Sequence, residues 1–418
     1  MIISNMFAPL VGIVDTAIVG HLPGTHHLAG VALGGIIITQ LIWVCGFLRM
    51  AATGLSAEAK GSGDTASATR ILVNSLFISL IIGIIVLILQ KPLFDAGVLL
   101  SDSNDEVITT AAEYFYLRIN FLPVALLNLS ISGWMLGQQW HRDVMTIQIG
   151  ANFVNIVLSY VLAIHLSLGV WGVALATVVA ELAIFLSSLV LIRRREPAVF
   201  KGVFRLPDFR QIKGLISLNT DMFIRNITLQ FCLAVITFTG LQHGELTAAT
   251  NAVLMQFFVL IALGLDGVAY AVEALIGESK GQKNNAKMRQ WMFISIIWSN
   301  IFALFYTCVF WFFFSSIAAL MTNIPELQNN MLEYRWYIIF LPIVAHWCFT
   351  LDGIYIGLMQ AKVMRNTMLL SAVLSFSPLL LVIDNINNHL IWIVFSIFLF
   401  IRGVSLGGHL GYTLSGSR

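Results

Sequence analysis

Charge is what this 418-residue sequence has least of: 11% of its residues are Asp, Glu, Lys or Arg, against 58% hydrophobic, with a mean hydropathy of +0.87. Soluble domains carry roughly 25% charged and about 45–50% apolar residues. So few charges cannot cover a water-facing surface, which excludes a soluble globular protein. Cysteine is scarce too. Cys45, Cys232, Cys308 and Cys348 all sit in apolar runs, with no CxxC and no metal-ligand spacing, so neither a disulfide nor a metal centre is implied. His21, His26 and His27 crowd one turn without a carboxylate beside them, which makes a poor metal site. The chain lacks a Walker loop, a Rossmann glycine run, an HExxH and a GxSxG. ATP-driven transport by this chain alone and a membrane-embedded enzyme are both disfavoured. A net charge of +2 gives no hold on nucleic acid, and no cofactor is expected.

What is present is apolar sequence in long runs. A membrane-spanning helix needs about 20 mostly apolar residues, and such runs tile the chain. They place spans at 1–20, 28–56, 70–90, 107–137, 143–165 and 170–192, then at 214–240, 247–277, 288–314, 331–360, 364–383 and 389–412. The fold class that follows is an all-α polytopic membrane protein of twelve transmembrane helices. Its expected organisation is a six-helix lobe over 1–192, a linker over 193–213 and a second six-helix lobe over 214–418. The first apolar run leads to Pro9 and Asp15 rather than to a small-residue cleavage site, so it reads as a span and not a cleaved signal. Because the sequence opens inside that run without a basic leader, a short cytoplasmic segment is expected to precede it.

Basic residues concentrate in alternate loops. One set of loops holds Lys60, Arg70, Arg142, the run Arg193–Arg194–Arg195, Lys280, Lys283 and Arg365; the other holds Lys91 among Asp95, Glu106, Glu245 and Glu326. The positive-inside rule then puts both termini in the cytoplasm. The basic stretch from Arg193 to Lys213 reads as a solvated linker obeying that rule, with lipid headgroups as the alternative partner.

The two halves repeat at an offset of 220 positions: Glu58–Ala59–Lys60–Gly61 against Glu278–Ser279–Lys280–Gly281, and Gly133 and Gly137 against Gly353 and Gly357. Six is even, so both halves enter the membrane from the same side and the repeats are parallel. Parallel repeats are a transporter architecture.

Charges inside spans cost about 2.5–3.5 kcal/mol or more and are functional candidates by default. Asp15 closes the first span six residues after Pro9, a residue that lets a helix bend. Tyr114, Ser132, Asn152, Asn155, Ser159 and Thr177 supply polar groups in the same half, and Asn152, Asn155 and Ser159 share one stripe. Such a stripe alone also reads as an interhelical hydrogen-bond seam. In the second half Asp352 lies ten residues past Pro342; Asp266 and Glu273 share a helix face; Asp221 and Arg225, spaced i, i+4, suggest a local pair. Arg49 and Arg225 are the expected partners should Asp266 and Glu273 be ion-paired. Arg118 and Arg402 also fall inside apolar runs.

Val14–Asp15–Thr16–Ala17–Ile18–Val19–Gly20–His21–Leu22 resembles the first-helix motif of the DinF branch of the multidrug and toxic compound extrusion (MATE) family. Leu351–Asp352–Gly353–Ile354–Tyr355–Ile356–Gly357, Ala274–Leu275–Ile276–Gly277 and the run from Gly169 to Thr177 fit the same branch. The resemblance covers essentially the whole chain. It implies two pseudo-symmetric six-helix bundles forming a V-shaped cleft, and cation-coupled export of amphipathic, drug-like or cationic compounds. It also implies a bacterial inner-membrane protein, working as a monomer among membrane lipids. Asp15 would be the proton carrier, with Asn155, Thr177 and Tyr114 around it and Asp352 complementing it across the cleft. Ser159 stands where some relatives carry a second Asp, which weighs against sodium and towards a proton. Pro9 would be the hinge, and Asp266, Glu273 and Arg225 the polar candidates of the second lobe. The alternative is a lipid-linked precursor flippase of the same superfamily, which would need a strongly cationic cavity.

Overall fold

The computed structural model describes residues 12, 14–20, 24–99, 101, 104–203, 209–381 and 387–416; Pro9 and His21 lie outside them. The described residues are almost entirely helical, and no strand occurs among them. The first half holds α1 (14–20), α2 (Thr25–Val44), α3 (Phe47–Ser62), α4 (Thr65–Ile88), α5 (Gln90–Leu99), α6 (Asp105–Asn120), α7 (Leu122–Gly137), α8 (His141–Tyr160), α9 (Gly169–Arg195) and α10 (Pro197–Val203). The second holds α11 (Phe209–Leu241), α12 (Glu245–Gly281), α13 (Asn285–Met321), α14 (Pro325–Glu333), α15 (Arg335–Leu358), α16 (Ala361–Phe376) and α17 (Asn388–Gly416). Two compact units result, with their boundary between Ile216 and Ser217, inside α11.

Among the described residues nine helices are long and apolar enough to cross a membrane. The pair α6–α7, bent by 50°, makes a tenth if counted as one span. The bend falls at Phe121, just before Pro123 in the first turn of α7, where a proline's missing N–H is no loss. The expected span 1–20 lies mostly outside the described residues. The expected 364–383 is the 16-residue α16 continued by a tight helical turn over Ser377–Leu381. At about 1.5 Å per residue, the 37-residue α12 and α13 run roughly 55 Å, well beyond a hydrocarbon core of about 30 Å. Outward-facing apolar side chains such as Phe153, Phe312 and Leu320 are exposed, as a lipid-facing surface requires.

The sequence repeat is built into the backbone. Left-handed residues recur in pairs 220 positions apart: Gly24 and Gly244, Gly63 and Lys283, Gln139 and Met359. The helix caps do the same. Asp64 accepts from the Ser67 N–H at 2.8 Å and Asn284 from the Lys287 N–H at 2.9 Å, each satisfying an orphan donor of the first turn. A Cβ on Gly133 would lie 2.3 Å from the Arg49 carbonyl oxygen, and one on Gly353 2.7 Å from that of Ala269. On Gly137 and Gly357 it would meet the carbonyls of Thr53 and Glu273. Each of these contacts is the other's repeat. The α3–α7 and α12–α15 pairs therefore pack backbone to backbone through small-residue stripes. Gly133→Ala is expected to lose about 1–3 kcal/mol by overpacking, read as a lower melting temperature of the detergent-purified protein. Gly150→Ala on α8, with nothing within 4 Å of its Cβ, should leave that temperature unlowered.

The basic run Arg193–Arg195 is helical, and a short helix follows it. α9 continues to Arg195, whose guanidinium holds Asp143 through two hydrogen bonds of 2.7 and 2.8 Å and lies over the Trp140 ring. α10 then packs against α4 and α9, burying Val199.

Candidate functional site

In the N-terminal unit three helices, α6, α8 and α9, carry polar pairs one turn apart, and α1 and α7 add one polar residue each. Asp15 is half-buried on α1, and its Oδ1 accepts a 2.8 Å hydrogen bond from Ser159 Oγ on α8. Ile18 and Val19, three and four residues on and so on the same side of α1, are buried with Tyr114, Val173 and Ala174, which seats that face in the unit. One turn before Ser159 is Asn155; both are buried. Asn155 Nδ2 donates to Thr177 Oγ1 at 3.1 Å, and Thr177 Oγ1 donates to the Val173 carbonyl. Asn155 Oδ1 is buried with no donor among the described residues. Four residues past Thr177 on α9 is Glu181, whose Oε1 accepts from Arg118 Nη2 of α6 at 2.9 Å. Asn128 Nδ2 of α7 donates to the Glu181 carbonyl at 2.8 Å. Tyr114, one turn before Arg118, lies within the electrostatic reach of Arg118, Asp15 and Glu181 together.

The structure thus brings together Asp15, Asn155, Ser159, Thr177 and Tyr114. It leaves two others apart. Ser132 Oγ donates to the Leu129 carbonyl of its own helix, and Asn152 is half-buried with no side-chain hydrogen bond to the described residues. Among those residues no arginine forms an ion pair with Asp15, and none of the described His, Cys, Asp and Glu side chains form a group of three able to hold a metal. Ser159→Ala removes the hydrogen bond that Asp15 accepts but keeps its carboxyl. A several-fold loss of substrate efflux is expected rather than abolition, since such a bond is worth about 1 kcal/mol; whole-cell dye efflux checks it.

The C-terminal unit is organised around a different carboxylate. Asp352 of α15 is buried, and its Oδ2 accepts from both Arg225 Nη2 of α11 and Arg402 Nη2 of α17, themselves buried. Arg225 Nη1 also donates to Asn226 Oδ1 at 2.8 Å. Asp266, half-buried on α12, acts electrostatically on Arg402, and Glu273 is buried two turns on. This corrects one reading. Asp221 and Arg225 do not pair across one helical turn: Asp221 Oδ1 accepts from Arg365 of α16, while Arg225 turns to Asp352. Both acids are equally buried; what separates them is partner geometry, Arg365 of α16 taking Asp221 while α15 presents Asp352 to Arg225 and Arg402. Asp352 is the bridging counter-ion of two arginines in its own unit.

Two constellations went unread in the sequence. Glu181 is a lone acid in an apolar run, i+4 from Thr177, and that spacing was the available signal. Thr350 Oγ1 donates to Ser299 Oγ at 2.6 Å, and Ser299 Oγ lies 3.1 Å from His346 Nδ1, all buried. His346 and Thr350 share the same i, i+4 spacing.

Comparison with known proteins gives the family and the fold. The MatE family model matches residues 1–161 and 222–380, one match in each half. The chain is 35% identical over 408 residues to the DNA damage-inducible protein F of Escherichia coli (strain K12), covering 97% of this chain and 89% of that one. It is 24% identical over 340 residues to the probable multidrug resistance protein NorM of Bacillus anthracis, covering 79% of this chain and 74% of that one. A solved outward-facing multidrug resistance MATE transporter of the MOP superfamily superposes with a TM-score of 0.88 at 17% identity, over 99% of this chain and 94% of that one. Its likeness speaks for the fold. Matched in both halves by one family model and along nearly its whole length by one relative, the chain belongs to the MatE family of multi-pass membrane transporters and is not an enzyme.

Proposed function

We propose that this chain is a proton-coupled antiporter of the bacterial inner membrane that exports amphipathic organic compounds, with Asp15 as the proton carrier and both termini in the cytoplasm. The observation that carries the reading is the Asp15–Ser159 hydrogen bond inside an apolar helical unit. An ionised carboxylate out of water needs several donors. Ser159 supplies one, and the Tyr114 hydroxyl is the next polar group in its field. These hold α1 towards α8. On protonation that demand falls, and Asp15 gains an O–H of its own to give. The buried, donorless Asn155 Oδ1, one turn along α8, is a fitting acceptor. The two protonation states therefore favour different seatings of α1, which is what a coupling ion must do to shift an equilibrium.

The choice of proton over sodium rests on Ser159, whose neutral hydroxyl leaves a single carboxylate beside it. The substrate class follows the relative named as a probable multidrug resistance protein. The flippase alternative needs uncompensated cationic charge. Buried Arg118 and the Arg225–Arg402 pair instead face Glu181 and Asp352. Purified protein in vesicles, with proton and sodium gradients imposed separately, tests the reading. Drug accumulation driven by the proton gradient alone supports it. Sodium-driven uptake, or lipid scrambling without drug exchange, overturns it.

A further inference from the structure

Arg118 is an unusual residue to find in a lipid-embedded bundle. It is buried on α6, its Nη2 donates to Glu181 Oε1 at 2.9 Å, and the Tyr114 hydroxyl lies within hydrogen-bond reach of the guanidinium. Nε and Nη1 are buried and donate to no acceptor among the described residues. A half-satisfied guanidinium is costly, because each orphaned donor forfeits about 1–3 kcal/mol of desolvation. Asp15 Oδ1 takes one hydrogen bond from Ser159, and the nearby Asn155 amide is spent on Thr177. The Arg118 charge already acts on Asp15, and Tyr114 senses Arg118, Asp15 and Glu181 at once. Two acids and one base share this interior.

The other ionisable groups on the packed helices lie elsewhere. α2 carries His26 and His27 near its start, where His26 faces Glu106 at 3.8 Å. Glu113 on α6 is exposed, and α7 carries no ionisable side chain. His141, Arg142 and Asp143 open α8 beside Arg195 at the end of α9, while Tyr160 closes α8. Arg118 is therefore the interior cation available to Asp15 among the described residues.

We propose that Arg118 is a counter-ion held in common by Glu181 and Asp15, a positioning residue that turns its unused N–H groups to Asp15 when the proton leaves and returns to Glu181 alone when it arrives. Protonation of Asp15 is then felt on α6 and α9 as well as α8, because the Arg118–Glu181 link tightens as the Asp15 link is released. The proposal rests on Asp15 being the proton carrier.

The test uses the full chain in lipid nanodiscs and follows the infrared carbonyl band of the protonated carboxyl that disappears in Asp15→Asn. Arg118→Gln with Glu181→Gln keeps a neutral hydrogen-bonded pair and the packing but removes the counter-ion. The pH midpoint of the Asp15 band should rise by about one unit, the low end of what an adjacent opposite charge contributes. Glu181→Gln alone frees the guanidinium, and the midpoint should fall by a similar amount. Arg118→Lys, which keeps the charge, should stay close to wild type. Should the double variant misfold, Glu181→Gln and Arg118→Lys still decide the matter. A midpoint unmoved by Glu181→Gln overturns the role of Arg118, as does one unmoved in a folded double variant. Failure of the underlying reading looks different: Asp15→Asn would keep pH-dependent exchange.

Discussion

Asp352→Ala is expected to destabilise the C-terminal unit by about 3–5 kcal/mol, the cost of breaking a buried ion cluster from one side. Asp352 Oδ2 accepts from two guanidiniums at once, and Arg225, Arg402 and Asp352 are all buried. Without the carboxylate, two positive charges face one another where water cannot screen them. Asp352→Asn keeps the shape and loses the charge, so it should lie closer to alanine than to wild type. Asp143→Ala is the control: its partner Arg195 is exposed, and such pairs are worth about 0–1 kcal/mol. Thermal melts in detergent followed by tryptophan fluorescence check the set. Asp352→Ala melting with wild type would show that the cluster is not what ties α11, α15 and α17 together. A cluster this costly to disturb suits a unit that keeps its charges fixed.

Asp15→Asn is expected to bring proton-driven efflux down to the level of membranes without the protein, and to flatten what pH dependence remains. Asparagine copies the shape and neutrality of the protonated acid but cannot release a proton, so α1 stays in one seating. Asp15→Glu keeps the acid but lengthens its reach past Ser159, and should retain partial, pH-dependent transport. Fluorescent-substrate efflux across a range of external pH distinguishes the three. Full efflux with a normal pH profile in Asp15→Asn would remove Asp15 from the mechanism while leaving the fold as described.

The sequence revealed the duplication because its markers are local. Gly133 and Gly137 recur as Gly353 and Gly357 since only a missing side chain lets α7 and α15 lie on a neighbouring backbone. The stripe from Asn155 to Ser159 was legible for the same reason, helical spacing being a property of one segment. Breaks inside apolar runs were not. The joint at Cys45–Gly46 between α2 and α3 leaves the hydrophobicity of 28–56 uninterrupted, and the 50° bend at Phe121 was folded into one span despite Pro123. Partners distant in the chain were hardest. Ser159 meets Asp15 across 144 positions and Arg225 meets Asp352 across 127, so the choice between Asp221 and Asp352 depended on which helices pack against α11, which spacing does not encode.

Substrate-triggered proton movement in sealed vesicles tests most directly whether Asp15 is the group exchanged against drug. With a pH gradient imposed and a pH-sensitive dye inside, adding substrate to wild-type vesicles should dissipate the gradient. Vesicles carrying Asp15→Asn that still bind the substrate should hold their gradient as empty vesicles do. Equal dissipation by the two proteins would mean that the proton travels by another route.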